Sequence, residues 1–378
     1  CEPKQFWLIS RHGTRYPSED GITRLKTLNK IRDGVINNHE VLHNGQLCAK
    51  DLENLKKWNL QVVTSLASNL APHGYEDLHN LALRYKARFP ALLNQSYSND
   101  LFQFKFSNSQ RTTASAFSFG EGIFGPTNRV YFPEPLDPDM LLTPYKNCEK
   151  WNALWPAVAE EELKFQNGTL MASLLQNVTD RLGFNTSLSI DDINAIYDGC
   201  RFDHAWHHDE ISPWCAAFTE EELQVMEYQE DLLYYYYTGY GTDMNTNMGC
   251  APVKDFLDRF SEIEEGKQQP AGVFYFTHSE MLQQVLLPLG IAKDQENLTA
   301  ANYEEMKNRQ WRTSNITPFA ANLAAVFFKC DIGEEYRIQF RFNEHPVNLD
   351  GCEQDLCDWS FIKQKFSNLS SSCNYNFC

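Results

Sequence analysis

The chain has 378 residues, 42% hydrophobic and 22% charged, which is the balance of a folded globular protein and more than one comfortable core can serve. Its formal net charge of -17 argues against nucleic acid or an anionic membrane as partner, and it obliges any anionic ligand to find a locally basic pocket. Eleven cysteines, with Asn-x-Ser/Thr sequons at Asn94, Asn167, Asn177, Asn185, Asn297, Asn315 and Asn368, point to an oxidising secretory compartment and N-linked glycans.

Taken in order, the chain opens on Phe6-Trp7-Leu8-Ile9, an aromatic and β-branched run that reads as a buried strand. It ends in Ser10-Arg11-His12-Gly13-Thr14-Arg15-Tyr16-Pro17. No signal peptide is visible and the chain starts almost directly on this strand, so a leader is expected to have been removed or omitted. Residues 19 to 47 read as a polar loop with short helical pieces. Leu52, Leu55, Val62, Leu66 and Leu70 predict an amphipathic helix over 49 to 70, broken by Ala71-Pro72-His73-Gly74. Leu78, Leu81, Ala82 and Tyr85 mark a second helix ending before Pro90. Leu101 to Ser107 alternates as a strand and runs into Arg111, after which 114 to 124 reads as helix. Val130-Tyr131-Phe132 suggests a further short strand.

From 144 to 250 the character changes. Acidic first turns at Glu161-Glu162, Asp191-Asp192 and Glu220-Glu221-Glu222 predict a mostly helical insert. Tyr234 to Tyr237 fall on one of its helices, as packing and surface residues rather than a ligand platform. Gly272 to Thr277 reads as a strand ending in His278-Ser279-Glu280, followed by an apolar helix to Leu289. Residues 319 to 330 and 336 to 342 predict a hairpin, and the cysteine-rich tail reads as stapled loops. No apolar run is long enough to cross a bilayer.

Three strands thus end in polar side chains: Arg11 and His12, then Arg111, then His278 and Glu280. Ligands of open α/β sheets bind beyond the carboxyl ends of strands. Arginine is suited to bidentate recognition of phosphate, and histidine serves as nucleophile as well as acid or base. Taken singly, each of these residues reads as readily as a surface charge or an ordinary strand-to-helix turn; their order along the chain carries the signal. Arg11-His12-Gly13-Thr14-Arg15-Tyr16-Pro17 resembles the opening motif of the histidine acid phosphatases. His278-Ser279-Glu280, where most of that family has His-Asp, resembles the multiple inositol polyphosphate phosphatase (phytase-like) branch, as do Ile196 to Arg201, Ser212 to Cys215, Glu227 to Leu232 and Gly239 to Gly241.

The resemblance implies a mixed α/β sheet flanked by helices over 1–143 and 251–378, with the helical insert at 144–250 and the site between the two. It also implies hydrolysis of phosphomonoesters in two steps without cofactor or metal. His12 is the expected nucleophile and Glu280 the general acid. Arg11, Arg15 and Arg111 are expected on the phosphoryl oxygens, with His278 as a further donor. Inositol polyphosphates such as phytate are the implied substrates. Arg24 and Lys26 are the candidates for additional phosphates, and Arg201 is a weaker one; each alone reads as a solvated charge.

By the same resemblance Cys1 pairs with Cys330, Cys200 with Cys215, Cys352 with Cys357 and, more loosely, Cys148 with Cys373. Cys48, Cys250 and Cys378 are left over. Cys200 with His204, His207, His208 and Asp209 forms a rival, metal-binding reading that the disulfide assignment disfavours. Alternative functions are a broad-specificity secreted acid phosphatase and an inactive glycoprotein that binds a phosphorylated ligand. A phosphoglycerate mutase shares Arg-His-Gly, but its cytosolic substrates conflict with the cysteines. The compartment stays open between extracellular space, ER lumen and lysosome, with or without an anchor beyond this chain.

Overall fold

Strand β1, Glu2–Arg11, lies in the middle of a seven-stranded mixed sheet, and its Phe6, Trp7, Leu8 and Ile9 are fully buried. The computed structural model describes residues 1–352 and 355–378. On one side β1 pairs in parallel with β3, Gly272–Thr277, and β3 pairs in parallel with β2, Phe102–Phe106. On the other side it pairs antiparallel with β4, Asn322–Lys329, which pairs with β5, Tyr336–Phe342. Two short strands, β6 (His345–Pro346) and β7 (Cys357–Asp358), complete the β5 edge.

Alternation along β1 sends its side chains into two separate layers. Phe6 and Leu8 join Phe274, Phe276 and Phe104 beneath helices Pro72–Arg88 and Gln110–Phe124. Trp7 and Ile9 join Val273 and Tyr275 on the opposite face, with helices Cys250–Glu264 and Ser279–Leu289. Burying each such side chain stabilises the fold by roughly 1.5–3 kcal/mol, so β1 is a strongly held platform. The apolar layer on the second face continues into helices Thr169–Arg181, Ile190–Trp206 and Glu220–Tyr237.

Register places the site. Arg11 lies opposite Thr277 and Phe106 opposite Phe276, so the three parallel strands end level at their carboxyl ends. A hydrogen bond from His12 N to Thr277 O (3.0 Å) and another from Ser107 N to Phe276 O (3.1 Å) carry the alignment one residue further.

Several elements depart from expectation. Residues 19 to 47 are chiefly helix, Glu19–Lys26 and Leu28–Glu40, because Ser18 caps Gly21 N and Ile22, Leu25, Leu28, Ile31 and Val35 bury at helical spacing. The predicted 49–70 helix stops at Lys57. There Trp58 turns extended and donates its indole N–H to Asp203 at 2.5 Å, and Val63 and Leu66 are exposed. Pro72 does not merely break a helix; it starts the next one, where proline costs no hydrogen bond. Val130-Tyr131-Phe132 forms no strand, and Phe132 packs on Phe117 instead. The tail holds two helices, Trp359–Lys365 and Ser367–Ser372.

Cys1–Cys330, Cys200–Cys215 and Cys352–Cys357 pair as expected. Cys148 does not pair with Cys373. Helix Ser367–Ser372 packs on helix Cys250–Glu264, which brings Cys373 to Cys250, and the last residue, Cys378, reaches Cys148. Cys48 is free and exposed. Five disulfides are the mark of a protein made in an oxidising compartment. Among the described residues no helix is long and apolar enough to cross a membrane.

Candidate active site

The loop after β1 is held from below by helix Pro72–Arg88. Thr14 donates through N (2.8 Å) and Oγ1 (2.7 Å) to the same oxygen of Asp77, and Ala71 N donates to Thr14 O at 2.8 Å. The closeness needs two glycines. A Cβ on Gly13 would sit 2.2 Å from Gly74 O, and one on Gly74 would sit 2.2 Å from Thr14 O. The glycine of the motif therefore admits a helix rather than a ligand.

His12 is 2% exposed, and its Nδ1 lies 2.8 Å from Gly13 O. A carbonyl can only accept, so Nδ1 carries the proton and Nε2 keeps its lone pair. Burial, then the charges of Arg11 and Arg111, hold the imidazole well below its ordinary pKa. His12 is thus held as a neutral imidazole at neutral pH, and its Nε2 makes no hydrogen bond among the described residues.

Arg11 lies over Phe319 at 4.5 Å and donates one Nη to Thr317 O. Burial and then Arg15 lower its pKa to about 10. Arg15 donates to Tyr16 O (2.8 Å), and Trp206 Nε1 donates to Arg15 O (3.2 Å). Arg111 occupies the first turn of helix Gln110–Phe124 rather than a strand end; Ser109 caps that helix by accepting from Thr112 N. Burial lowers Arg111 as well, with Arg15 second. The Nε atoms of Arg11 and Arg111 are buried without a hydrogen-bond partner among the described residues. Orphaned donors also occur at Arg337 and Arg341, but those on Arg11 and Arg111 belong to neighbouring guanidiniums capable of receiving an anion.

His278 is the N-cap residue of helix Ser279–Leu289, and its ring lies 5.6 Å from that of His12. Arg111 Nη2 donates to its Nδ1 (3.2 Å), which leaves Nε2–H to donate to Ser107 Oγ (3.0 Å). Both ring nitrogens are thus engaged within the protein, and the expected free donor is instead a clamp on Arg111. Burial, then Arg111, pushes His278 down to about 2. Glu280 follows in the first turn of the helix; its charge is felt by Arg11, Arg15 and Arg111 and by Tyr145 and Tyr234.

The remaining expected contacts divide. Arg24 is ion-paired with Asp198 at 2.7 Å, and Arg201 grips the other oxygen of the same carboxylate at 2.8 Å while also binding Glu230. This bridge adjoins Arg15, whose pKa registers both Arg201 and Asp198, but it is neutral as a unit. Lys26 is exposed, donates to Thr64 Oγ1 (3.3 Å) and makes no hydrogen bond or ion pair with the group among the described residues.

Two residues at the site were not anticipated. Lys146 is exposed, bears on His278 and has no ion pair among the described residues; Thr277 Oγ1 docks its segment by donating to Leu142 O (2.6 Å). Tyr234 is half-buried among Arg11, Glu280, Glu230 and Arg201 rather than serving as general packing. Its four-residue spacing from Glu230 was the available signal, since i and i+4 share a helix face. Cys200 is disulfide-bonded, and no group of three or more His, Cys, Asp or Glu among the described residues is arranged to hold a metal. A cleft of about 950 Å³ lined by Tyr16, Trp58, Ala71, His73 and Trp206 abuts the loop, but Arg11, His12, Arg15, Arg111, His278 and Glu280 are not among its lining residues.

Known proteins resemble the chain in sequence and in fold. The chain is 37% identical to multiple inositol polyphosphate phosphatase 1 of Drosophila melanogaster over 388 residues, covering 100% of this chain and 82% of that protein. Its fold resembles the phytase from D. castellii, with a TM-score of 0.79 at 18% identity over 99% of this chain and 81% of that one. It also resembles the Bifidobacterium longum multiple inositol polyphosphate phosphatase in complex with inositol hexasulfate, with a TM-score of 0.70 at 14% identity over 96% of this chain and 91% of that one. Residues 4–343 match the family described as the histidine phosphatase superfamily (branch 2), and the chain belongs to that family.

Proposed function

We propose that this protein hydrolyses phosphomonoesters of inositol polyphosphates, phytate among them, through a phosphohistidine on His12. The observation that carries the reading is the neutral His12, its Nδ1 proton held by Gly13 O and its Nε2 free, beside two guanidiniums with orphaned Nε atoms. In the first step Nε2 attacks phosphorus, the P–O bond to the alcohol breaks, and Glu280 gives its proton to the leaving oxygen. In the second step Glu280 takes a proton from water as the water oxygen attacks phosphorus and the P–N bond breaks. Phosphate leaves and His12 is restored.

Arg11, Arg15 and Arg111 bind the equatorial oxygens, whose charge is greatest in the in-line transition state. His278 acts through Arg111, whose guanidinium it orients. The segment 144–250 is read as a helical insert that roofs the site, contributing Lys146 and Tyr234. The names of the relatives support inositol polyphosphates as substrates, and the disulfides with the sequons support the secretory pathway, glycosylated, as the place of action.

One observation favours the alternative of a broad acid phosphatase: Arg24 and Arg201 are neutralised by Asp198 and Glu230, which leaves few free cations for further phosphates. Phosphate release from phytate and from an aryl phosphate tests both, with His12→Ala and Glu280→Gln as controls. Preference for phytate, abolished in His12→Ala, is expected. Glu280→Gln should lose about 10²–10⁴-fold on phytate and far less on the aryl ester, whose leaving group needs no proton. Binding without turnover in the wild type would leave an inactive phospho-ligand-binding glycoprotein.

A further inference from the structure

Behind Arg11 lies a chain of buried polar groups that the mechanism above does not use. Gln283, on the helix that begins with Ser279 and Glu280, is 1% exposed; Thr238 is 0% and Thr317 is 3% exposed. Gln283 Nε2 donates to Thr317 Oγ1 at 2.7 Å, and Gln283 Oε1 accepts from Thr238 Oγ1. Thr317 Oγ1 passes its own proton toward Thr313 O (3.4 Å), and Thr317 N donates to the same carbonyl at 3.0 Å. Thr313 is in turn pinned by N (2.8 Å) and Oγ1 (2.6 Å) to the buried Asp231, which Arg309 pairs. The carbonyl of Thr317 is the group that holds Arg11.

We propose that Gln283 is a positioning residue for catalysis: its carboxamide, locked between Thr238 and Thr317, fixes the carbonyl that aims the Arg11 guanidinium at the phosphoryl group. The chemistry of the amide suits the task. It offers one acceptor and one donor at a fixed separation: its carbonyl oxygen accepts from Thr238 Oγ1, and its amide nitrogen donates to Thr317 Oγ1. Position 283 is three residues after Glu280, on the same helix face, so one side chain ties the acid-bearing helix to the arginine that must face it across the substrate. Misplacing a charge-bearing donor by about 1 Å costs on the order of 10²-fold in rate, so a loosened Thr317 would be felt in turnover before it is felt in folding.

This inference rests on the phosphatase reading and is tested so that the two can fail separately. In the full chain, Gln283→Leu removes the amide at similar volume, Thr317→Val removes its partner, and Thr317→Ser keeps both the carbonyl and the hydroxyl. The readouts are product inhibition by inorganic phosphate and kcat/KM on an aryl phosphate, alongside the thermal midpoint. Gln283→Leu and Thr317→Val are each expected to weaken phosphate binding and lower kcat/KM by about tenfold or more. The double variant should be no worse than either, and Thr317→Ser should match the wild type. Should Gln283→Leu fail to fold, the contrast of Thr317→Val with Thr317→Ser carries the test alone. Phosphate affinity unchanged in a folded Gln283→Leu, or effects of the two single variants that add, would overturn the proposal. Turnover by the wild type and not by His12→Ala upholds the phosphatase reading in either case. If the wild type does not turn over, calorimetric titration with inorganic phosphate still reads the aim of Arg11 across the same variants.

Discussion

Gly74→Ala tests whether the approach of a helix to the catalytic loop sets the reaction geometry. The added Cβ would meet Thr14 O at 2.2 Å and Leu70 Cδ1 at 2.6 Å. The leucine tip can rotate away, but the carbonyl belongs to the loop that carries His12 and Arg15. Bringing that contact from 2.2 Å to the 3.4 Å of ordinary contact displaces loop and helix by about 1.2 Å. Stability should fall by up to about 2 kcal/mol. Overpacking costs about 1–3 kcal/mol, and alanine is the better helix residue by about 1 kcal/mol, which offsets part of it. Turnover should fall by about 10²-fold, because a misplacement of about 1 Å is enough to take the nucleophile off line. The assay is phosphate release from phytate at saturating substrate, with a thermal melt on the same preparation. A variant that melts near the wild type and keeps its full kcat would refute the reasoning, since the loop would then have absorbed the methyl without moving His12.

Two further outcomes follow from the site electrostatics. His278 is held at about 2 and His12 well below its ordinary value, whereas in the unfolded chain both titrate near about 6.5. Above about pH 6.5 neither state takes up these protons. Below it the unfolded chain binds protons that the folded protein refuses, so stability falls with pH by up to about 1.4 kcal/mol per unit for each histidine. Urea midpoints at about pH 6.5 and pH 5 should show the loss, and His278→Asn should make it shallower; a flat profile over that range would contradict the buried neutral state. Lys146→Ala should raise KM for phytate by up to about fivefold, the worth of about 1 kcal/mol for an exposed ion pair, with the difference shrinking in high salt. KM for a small aryl phosphate should stay unchanged, and an equal rise for both substrates would place Lys146 on the reacting phosphate instead.

Much of the sheet was legible because β1 is buried over Gln5 to Ser10, β3 is buried throughout, β2 alternates, and all three are bounded by polar residues. The runs at 6–9, 102–106 and 272–277 each announce themselves by β-branched or aromatic content, and each ends in a residue that the structure brings to one place. The helix starts were less legible. Ser18 and Ser109 cap helices that the apolar pattern alone begins later or leaves as loop, because capping is carried by one side chain rather than by a period. The 49–70 stretch failed for the opposite reason: its leucines keep helical spacing, but Trp58 finds Asp203 in a distant segment, and that contact outweighs local periodicity. Lys146 could not be found from the sequence, since nothing in Thr143-Pro144-Tyr145-Lys146 marks a loop that docks on the end of β3. The pairing of Cys148 likewise depended on where the tail folds back, which no spacing encodes.

The arginines sort themselves by their partners, and this resolves the apparent conflict between an acidic chain and an anionic substrate. Arg24, Arg201 and Arg309 each hold a carboxylate: Asp198 for the first two, Asp231 for the third. Arg11, Arg15 and Arg111 hold none among the described residues; they bond to backbone carbonyls or to a neutral histidine. They also destabilise one another's charge, as Arg15 does for both Arg11 and Arg111, on top of the larger cost of burial. Buried charges of one sign without counterions are costly to a folded protein. They are tolerated here because β1 and the helices around it are stable enough to hold them, and on the proposed reading the missing counterion is the phosphoryl group of the substrate. Salt screens distant charge beyond about 8–10 Å, so on the proposed reading an incoming phosphate meets at close range the three guanidiniums, with Glu280 bearing on all three, Glu230 on Arg11 and Asp198 on Arg15. That imbalance also explains why the proposed nucleophile is a histidine kept neutral: a cationic imidazole in the same pocket would add to the repulsion and surrender the lone pair that the chemistry needs.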